Sequence, residues 1–151
     1  EKVDLSWIGK SIDFDKYNVV VKLHPADKYG IDKEVDSRVI TDTEISSFDW
    51  MKVSKKVVTD YSGIGFEAML LGKEVYFYLY DYEEYSEKNG LNLDLFSEKI
   101  SAFVTQNGEE LKTILEKEYD FSALDEYVEK YLSVGKNDCS KRLAKFVLEL
   151  L

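Results

Sequence analysis

The chain has 151 residues, 44% of them hydrophobic, which is the length and apolar content of one domain with its own core. Its 30 acidic and 20 basic residues give a formal net charge of -10. This charge argues against general binding of nucleic acids or anionic membranes, because both need a basic face. The single cysteine, Cys139, excludes an internal disulfide and a cysteine-rich metal site.

Targeting signals are absent from the sequence pattern. No stretch is long and apolar enough to cross a bilayer, and residues 1–4 do not begin a signal peptide. The chain does not start with methionine, which favours a fragment of a larger protein. Its 11 tyrosines suit either ligand stacking or ordinary half-buried packing, and packing is the preferred interpretation.

Residues 19–23 are the first clear apolar run and predict a short strand, after a mixed opening segment. The strand ends at His24 and Pro25, since proline lacks a backbone donor and restricts the residue before it. His24 is the only histidine, and we expect it at the carboxyl edge of a parallel sheet, where ligands bind. The alternative is a structural histidine that caps the strand or bonds a nearby carbonyl.

Residues 38–42 predict the next strand, and a short helix is predicted within residues 47–53. Between them, the acidic and hydroxyl residues at 41–47 would suit ligand contacts. A solvated loop is the preferred interpretation of that cluster.

Residues 57–67 predict a buried strand, a polar turn containing glycine and the start of a helix. The strand begins with two β-branched residues, Ser62 is the expected N-cap, and Gly72 is placed to end the helix. Free backbone amides at the start of this helix would offer an anion site beyond the end of the strand. Similar junctions also occur without any ligand throughout α/β domains.

The strongest strand prediction is residues 74–81, which are β-branched and aromatic. Residues 82–94 are interpreted as a loop on the ligand side, and residues 102–105 as an edge strand. Short apolar strands that alternate with helices predict a parallel sheet covered on both faces. The predicted fold is therefore one α/β domain over residues 1–151, Rossmann-like, with three α/β/α layers and a mostly parallel sheet. Further helices are predicted at 107–118, 124–132 and 140–151.

Four segments follow one another in the chain: KLHP at 22–25, VTDYSGIGFE at 58–67, VYFYLYDYEEY at 75–85 and NGLN at 89–92. Together they resemble the ordered signature of the CDP-glycerol glycerophosphotransferase family, the wall teichoic acid polymerases and primases. The resemblance runs from about residue 14 to the C-terminus. It includes SKR at 140–142, which is similar to a short polar motif before the last helix of the family.

The resemblance implies a GT-B enzyme with two facing Rossmann-like domains, of which this chain is the C-terminal, donor-binding half. Such enzymes transfer glycerol phosphate or ribitol phosphate from CDP-glycerol or CDP-ribitol to a teichoic acid chain and release CMP. No cofactor and no metal is implied. The isolated chain is expected to be inactive, because transfer needs groups from both sides of the cleft.

The resemblance also implies partners and a location. The partners are the nucleotide-activated polyol donor, a lipid-linked teichoic acid acceptor and an N-terminal GT-B domain that is not recognisable in this chain. The implied location is cytoplasmic, at the inner face of the cell membrane of Gram-positive bacteria. Membrane contact would come through the missing region, without direct insertion of this segment.

The same resemblance assigns roles to individual residues. His24 matches a histidine implicated in catalysis, which would position or protonate the leaving phosphate. The segment 59–67 matches the motif that cradles the phosphates of the donor, and Glu67 would contact glycerol or ribose hydroxyls. The implied substrate-binding residues are Pro25, Thr59, Asp60, Tyr61, Ser62, Gly63, Ile64, Glu67, Asp81, Asn89 and Gly90.

Several positions depart from the family pattern, among them residues 98–101, which lack the Pro and Gly that relatives often carry before the edge strand. Many relatives carry a second serine where this chain has Gly63, so the phosphate site here relies more on backbone amides. Other relatives have Arg-Gly where this chain has Asn89 and Gly90. This chain therefore lacks a cationic phosphate ligand at that position.

Three other functions compete with this interpretation. A phospho-receiver domain would use Asp60 as its phosphorylated residue, but the chain lacks convincing equivalents of the acidic pair and the lysine that such a domain needs. A GT-B domain for a nucleotide sugar shares the fold and the phosphate site, so fold alone does not separate it. A nucleotide-binding module without catalysis also fits the isolated chain.

Overall fold

The computed structural model describes residues 5, 8–9, 12–24, 30, 35–41, 44–132 and 138–150. Within these ranges the chain forms six named helices, one 3-10 helix and three strands. In chain order they are α1 (Ser47–Val53), β1 (Lys56–Thr59), α2 (Ile64–Leu70), β2 (Glu74–Tyr78), α3 (Tyr82–Asn89), the 3-10 helix (Lys99–Phe103), β3 (Val104–Thr105), α4 (Gly108–Glu116), α5 (Phe121–Tyr131) and α6 (Cys139–Glu149).

The three strands form one parallel sheet in the order β1-β2-β3. The register pairs Lys56 with Glu74 at one end of β1 and Thr59 with Phe77 at the other. Strand β2 is therefore central, and its residues are mostly buried, as expected for a parallel sheet covered by helices. The predicted α/β class is confirmed, and the architecture is consistent with a Rossmann-like α/β/α domain.

The strands predicted at residues 19–23 and 38–42 form only one isolated β-bridge in the described ranges. Val20 and Ile40 form one parallel bridge, in which the Ile40 amide donates to the Val19 carbonyl at 2.8 Å. The Val21 amide returns a bond to the Ile40 carbonyl at 2.9 Å. The segments thus run side by side as predicted, but neither forms a named strand of the sheet.

Aromatic residues fill the core beside β2. Tyr76 is fully buried and meets Phe103 and Tyr119 edge to face, with ring centroids 6.0 and 5.4 Å away. The Tyr119 hydroxyl accepts a bond from the Val75 amide and donates one to the Val75 carbonyl, both at 3.1 Å. These tyrosines therefore serve packing and satisfy the polar backbone of the central strand.

Helix α2 ends where the sequence predicts. Gly72 has φ of +66°, a conformation that favours glycine, and its amide donates to the Met69 carbonyl at 2.9 Å. The Lys73 amide donates to the Ala68 carbonyl at 3.0 Å, which completes a Schellman motif. The chain then turns directly into β2.

The predicted loop at 82–94 is wrong over its first half, which forms helix α3. Glu83 and Glu84 lie in the first turn, where their negative charges stabilise the helix by interacting with its dipole. Glu84 also forms an ion pair with Lys88 one turn later. Gly90, with φ of +71°, ends the helix. Helix-favouring charges therefore outweigh the tyrosines and the Asn-Gly pair on which the loop prediction depended.

Two predicted strands are shorter than expected. Strand β2 stops at Tyr78 rather than at residue 81, and the edge strand keeps only Val104 and Thr105. The residues before that edge strand form the 3-10 helix instead, which buries Ile100 and Phe103.

The three C-terminal helices are confirmed, with small shifts of their ends. Asn107 caps α4, since its side chain accepts from the amides of Glu109 and Glu110. Asp120 caps α5, which begins at Phe121 rather than at residue 124. In and directly after α6, four large apolar side chains are exposed, namely those of Leu143, Phe146, Val147 and Leu150.

A buried ion pair joins the amino ends of β1 and β2. The Lys56 ammonium contacts the Glu74 carboxylate and donates to the Tyr76 hydroxyl and the Leu115 carbonyl, each at 2.9 Å. Burial raises the pKa of Glu74, but the hydrogen bonds from Lys56 and Tyr76 and the Lys56 charge more than offset it. The pKa of Glu74 is therefore held below its ordinary value of 4.5.

We expect Glu74→Gln to lower the free energy of unfolding by about 3 kcal/mol at neutral pH, because Lys56 loses its buried counter-charge. A lowered folded-state pKa gives stability that is present above the ordinary pKa and is lost as pH falls through the folded pKa. The difference between the variant and the parent should therefore shrink on acidification. Urea unfolding at neutral pH and at about pH 3.5 measures it.

Lys55→Gln is the matched control, since Lys55 is exposed and its ammonium lies 3.5 Å from the other Glu74 oxygen. It should change stability by less than about 1 kcal/mol. A loss in Glu74→Gln that is the same at both pH values would contradict this account of the ion pair.

Candidate functional site

The carboxyl ends of β1 and β2 form the candidate site. Strand β1 ends at Thr59, and residues 60–63, hereafter the β1–α2 loop, connect it to α2. Because Thr59 is in register with Phe77, the residues that follow β2, up to Asp81, flank this loop. Ligands of open parallel sheets bind at this edge.

The β1–α2 loop is ordered by its own side chains. The Ser62 amide donates to the Asp60 carboxylate at 3.1 Å, and the Ile64 amide donates to the Ser62 hydroxyl at 3.4 Å. The Gly65 amide donates to the Ser62 carbonyl at 3.2 Å. Several amides predicted to be free for an anion thus have partners inside the loop, the longest of these contacts being the one to the Ser62 hydroxyl.

Ser62 is not the N-cap that the sequence predicts. By its hydrogen bonds the named helix begins at Ile64, with Gly63 in the N-cap place, although the φ of -58° and ψ of -17° at Gly63 are already helical. The Ser62 hydroxyl still bonds the first helical amide, that of Ile64, which keeps part of the predicted role. The predicted cap therefore differs from the named start of α2 by one residue, while the helical dihedrals begin at Gly63, directly after Ser62.

Gly65 sets how closely α2 approaches the sheet. A Cβ atom at this position would lie 3.1 Å from the Phe77 ring and 3.1 Å from the Thr59 methyl group. At Gly63 a Cβ atom would meet nothing within 4 Å. The absence of a side chain is therefore required at Gly65 and not at Gly63, and the close approach places the start of α2 directly over the end of β1.

Tyr61 and Asp81 lie together where the loop meets the start of α3. The Tyr61 ring stacks on Tyr85 of α3, with centroids 3.7 Å apart and planes 8° from parallel. The Tyr61 hydroxyl and Asp81 Oδ1 are buried atoms, and neither makes a hydrogen bond of standard length and angle within the ranges that the structure describes, although the Asp81 side chain is close enough to act on the phenol. Burial, followed by the Asp81 charge, raises the pKa of Tyr61, so this phenol keeps its proton at neutral pH.

The remaining predicted site residues are spread more widely. His24 is exposed and follows the segment that bridges to Ile40, while Pro25 lies outside the described residues. Glu67 is exposed on the first turn of α2. Asn89 ends α3 and Gly90 follows it, so the length of α3 carries both about 12 Å from Asp81.

The structure thus brings the loop residues Thr59 to Ile64 together with Asp81, and it does not bring Asn89 and Gly90 to them. Two residues of the site escape prediction from sequence. Tyr85 is the stacking partner of Tyr61, and its position four residues after Asp81 would have been a usable signal on a helix. Gly65 was not singled out, because a helical glycine looks neutral until its neighbours are known.

Other features of the described ranges do not add to this site. A shallow groove of about 230 Å³ lies at the opposite end of the sheet, beside the amino ends of its strands, and is lined by Ile12, Asp13, Lys16, Tyr17, Lys112, Leu115 and Glu116. Among the described residues, no His, Cys, Asp and Glu side chains group in a way that would hold a metal ion. No helix in that part of the chain is both long and apolar enough to span a membrane.

Comparison with known proteins identifies relatives over nearly the whole chain. The family described as CDP-Glycerol:Poly(glycerophosphate) glycerophosphotransferase matches residues 2–149. The teichoic acid glycerol-phosphate primase of Bacillus subtilis is 28% identical over 138 residues, which cover 91% of this chain and 36% of that protein. The teichoic acid ribitol-phosphate primase of Bacillus spizizenii is 26% identical over 152 residues, or 99% of this chain and 39% of that protein.

A third relative, the teichoic acid glycerol-phosphate primase of Staphylococcus aureus, is 32% identical over 138 residues, which cover 87% of this chain and 35% of that protein. The chain therefore spans between 35% and 39% of the length of these three relatives. No solved structure matches the chain.

The close approach of α2 to the sheet gives a prediction with an internal control. We expect Gly65→Ala to lower the free energy of unfolding by about 1–3 kcal/mol, because the new methyl group overpacks against Phe77 and Thr59. Gly63→Ala should leave stability unchanged or raise it by up to about 1 kcal/mol, since its methyl group meets open space and its φ suits alanine. Urea unfolding of both variants measures this, and equal losses would contradict the described packing.

Proposed function

The chain belongs to the CDP-glycerol:poly(glycerophosphate) glycerophosphotransferase family, and we propose that it is the donor-binding domain of a teichoic acid glycerophosphotransferase. The whole enzyme would transfer glycerol phosphate or ribitol phosphate from a CDP donor to a teichoic acid chain and release CMP. The observation that carries this proposal is the family match over residues 2–149, combined with the position of its central motif at the carboxyl edge of the sheet.

In this proposal the β1–α2 loop holds the diphosphate of the donor. The Ser62 hydroxyl and the amides up to Ile64 are the hydrogen-bond donors closest to the end of β1. The contact of 3.4 Å between the Ile64 amide and the Ser62 hydroxyl is long for a hydrogen bond, so a phosphate oxygen can replace it at little cost. The donor set is then made of neutral groups on a pre-shaped turn.

Charge balance indicates that this loop does not hold the diphosphate alone. Residues 57–71 contain no lysine or arginine, and Asp60 lies inside the loop. A diphosphate therefore needs cationic groups from elsewhere, and Asn89, which is uncharged and ends α3, does not supply one. We assign that role to the rest of the longer protein, which would also close the cleft over the donor.

His24 is the proposed catalytic residue. During transfer, the oxygen of an acceptor hydroxyl attacks the outer phosphorus as its proton passes to water or to a base of the cleft, and the bond from that phosphorus to the bridging oxygen of CMP breaks. The bridging oxygen gains negative charge as this bond breaks, so an imidazole nearby can donate a proton to it or stabilise its charge. The exposed position of His24 leaves it accessible to a bound donor.

The proposal also covers the residue that contacts the polyol of the donor and the cellular location of the enzyme. Glu67, on the exposed side of α2, would accept hydrogen bonds from glycerol or ribose hydroxyls. The relatives include both glycerol-phosphate and ribitol-phosphate primases, so either donor suits the family. The enzyme would work in the cytoplasm at the inner membrane face, with the acceptor held by the lipid to which it is linked.

The decisive experiment uses the full-length protein with CDP-glycerol, CDP-ribitol and a teichoic acid acceptor. We expect CMP release with one donor, and we expect His24→Ala to lower kcat by about 10²–10⁴-fold through loss of acid or charge stabilisation. The urea unfolding midpoint should not change. Asn18→Ala, which alters an exposed residue of the same segment, is the matched control and should keep full turnover.

Turnover of His24→Ala at the parent rate would remove the histidine from catalysis. Failure of the parent protein to release CMP from either donor would contradict the proposed function itself.

A further inference from the structure

Tyr61 and Tyr85 form a stack of two rings beside the β1–α2 loop. Their centroids lie 3.7 Å apart and their planes are 8° from parallel, so the two rings are in face-to-face contact. Tyr61 directly precedes Ser62 of the loop. Tyr85 lies in the first turn of α3, where its amide donates to the Asp81 carbonyl at 2.9 Å. The stack therefore connects the loop to the start of α3 at the carboxyl edge of the sheet.

The two rings of the stack differ in what lies behind them. Tyr61 packs against the hydrophobic core, as does Tyr82, the other tyrosine of α3, which also meets Phe96 edge to face. Among the described residues, Tyr85 is not part of the set packed against the core, and its ring contacts that of Tyr61 alone. Tyr61 thus lies between the core and Tyr85. The opposite face of the Tyr85 ring, which is partly exposed, is directed outwards.

The charges around this outward face suit a neutral, flat ligand. Residues 82–89 contain three glutamates and one lysine, and that lysine, Lys88, pairs with Glu84. A phosphate bound here would meet net negative charge. A nucleobase is uncharged at neutral pH, and an aromatic side chain stacks on the π-face that every base has. The exocyclic amine of cytosine also donates hydrogen bonds, which carboxylates accept.

We propose that the outward face of Tyr85 is the stacking site for the nucleobase of the donor, and that Tyr61 holds the Tyr85 ring in place. This inference rests on the proposed function, which supplies a CDP donor. In such a donor the ribose separates the base from the first phosphate, so the base site must lie beside the phosphate loop and outside it. Tyr85 meets this requirement, because one ring layer separates it from the residue that precedes Ser62.

The stack also prepares Tyr85 for binding. A tyrosine presents a large, rigid surface with only two side-chain torsions to fix. Contact with Tyr61 already restricts those torsions in the absence of ligand, so a base that binds pays less conformational entropy. Of the two uses of the tyrosines that the sequence allows, Tyr61 serves packing and Tyr85 serves ligand stacking.

The test uses the full-length protein and compares CMP, which has a base, with pyrophosphate, which has none. Their affinities are measured by calorimetry, and KM and kcat are measured with the CDP donor. We expect Tyr85→Leu, which keeps an apolar side chain but removes the flat ring, to weaken CMP binding about 10- to 100-fold, the effect of one lost base stack. Pyrophosphate affinity should not change. KM should rise while kcat stays within about twofold, because the base is remote from the reacting phosphorus.

Two further variants and a spectroscopic readout complete the design. Tyr85→Phe restores the ring and should bind CMP at least about fivefold more tightly than Tyr85→Leu. Ser86→Ala is the matched control, since it changes the next residue of α3, whose hydroxyl donates to the Glu83 carbonyl, and it should behave like the parent. In the parent, NMR saturation of tyrosine ring protons should pass to the base protons of CMP. Tyr85→Leu should lose this transfer.

CMP affinity in Tyr85→Leu equal to that of the parent would overturn the base site. Equal weakening of CMP and pyrophosphate would do the same, since it shows a purely structural role of the ring, and so would a Tyr85→Phe variant as weak as Tyr85→Leu. If the parent releases no CMP from any CDP donor, the proposed function fails. CMP binding that depends on the Tyr85 ring would then still support the base site, and a parent that does not bind CMP would overturn it.

Discussion

The parallel pairing of β1 with β2 is the constraint on which the rest of the structure depends. One register places Lys56 opposite Glu74 at the amino ends and Thr59 opposite Phe77 at the carboxyl ends. The first pair forms a buried ion pair, and the second brings the β1–α2 loop beside Asp81. A slip of one residue would separate both sets, because side chains alternate between the two faces of a strand. Stability and the candidate site therefore depend on the same alignment.

The two ends of this pairing differ in how well their polar groups are satisfied. At the amino end, the Lys56 ammonium has three partners and the Glu74 carboxylate is fully engaged. At the carboxyl end, the Tyr61 hydroxyl and Asp81 Oδ1 are buried atoms that make no hydrogen bond of standard geometry in the described ranges. Buried polar groups that are not well paired concentrate at functional sites. The contrast is consistent with an amino end that stabilises the sheet and a carboxyl end that forms the candidate site.

Local signals account for what the sequence predicts correctly. The β-branched run of β1, the aromatic run of β2 and the cap at Gly72 each depend on neighbours in the chain, and all are confirmed. Helix α3 was missed because its charges act at helical spacing within a segment rich in turn residues. The fit of Gly65 against Phe77 joins distant segments and leaves no local pattern to find, and the stack of Tyr61 on Tyr85 could be expected only once α3 is recognised as a helix.

The central claim is that a donor diphosphate binds at the carboxyl edge, on the β1–α2 loop. Its most direct test is titration of the full-length protein with CDP-glycerol, CDP-ribitol and CMP at up to about millimolar concentration, the affinity range of weak ligands, while amide resonances of this domain are followed by NMR. The account predicts shifts that concentrate at Ser62 to Glu67 and at His24. Shifts confined to the groove lined by Ile12, Lys16 and Glu116, or no shifts with any of the three ligands, would contradict it.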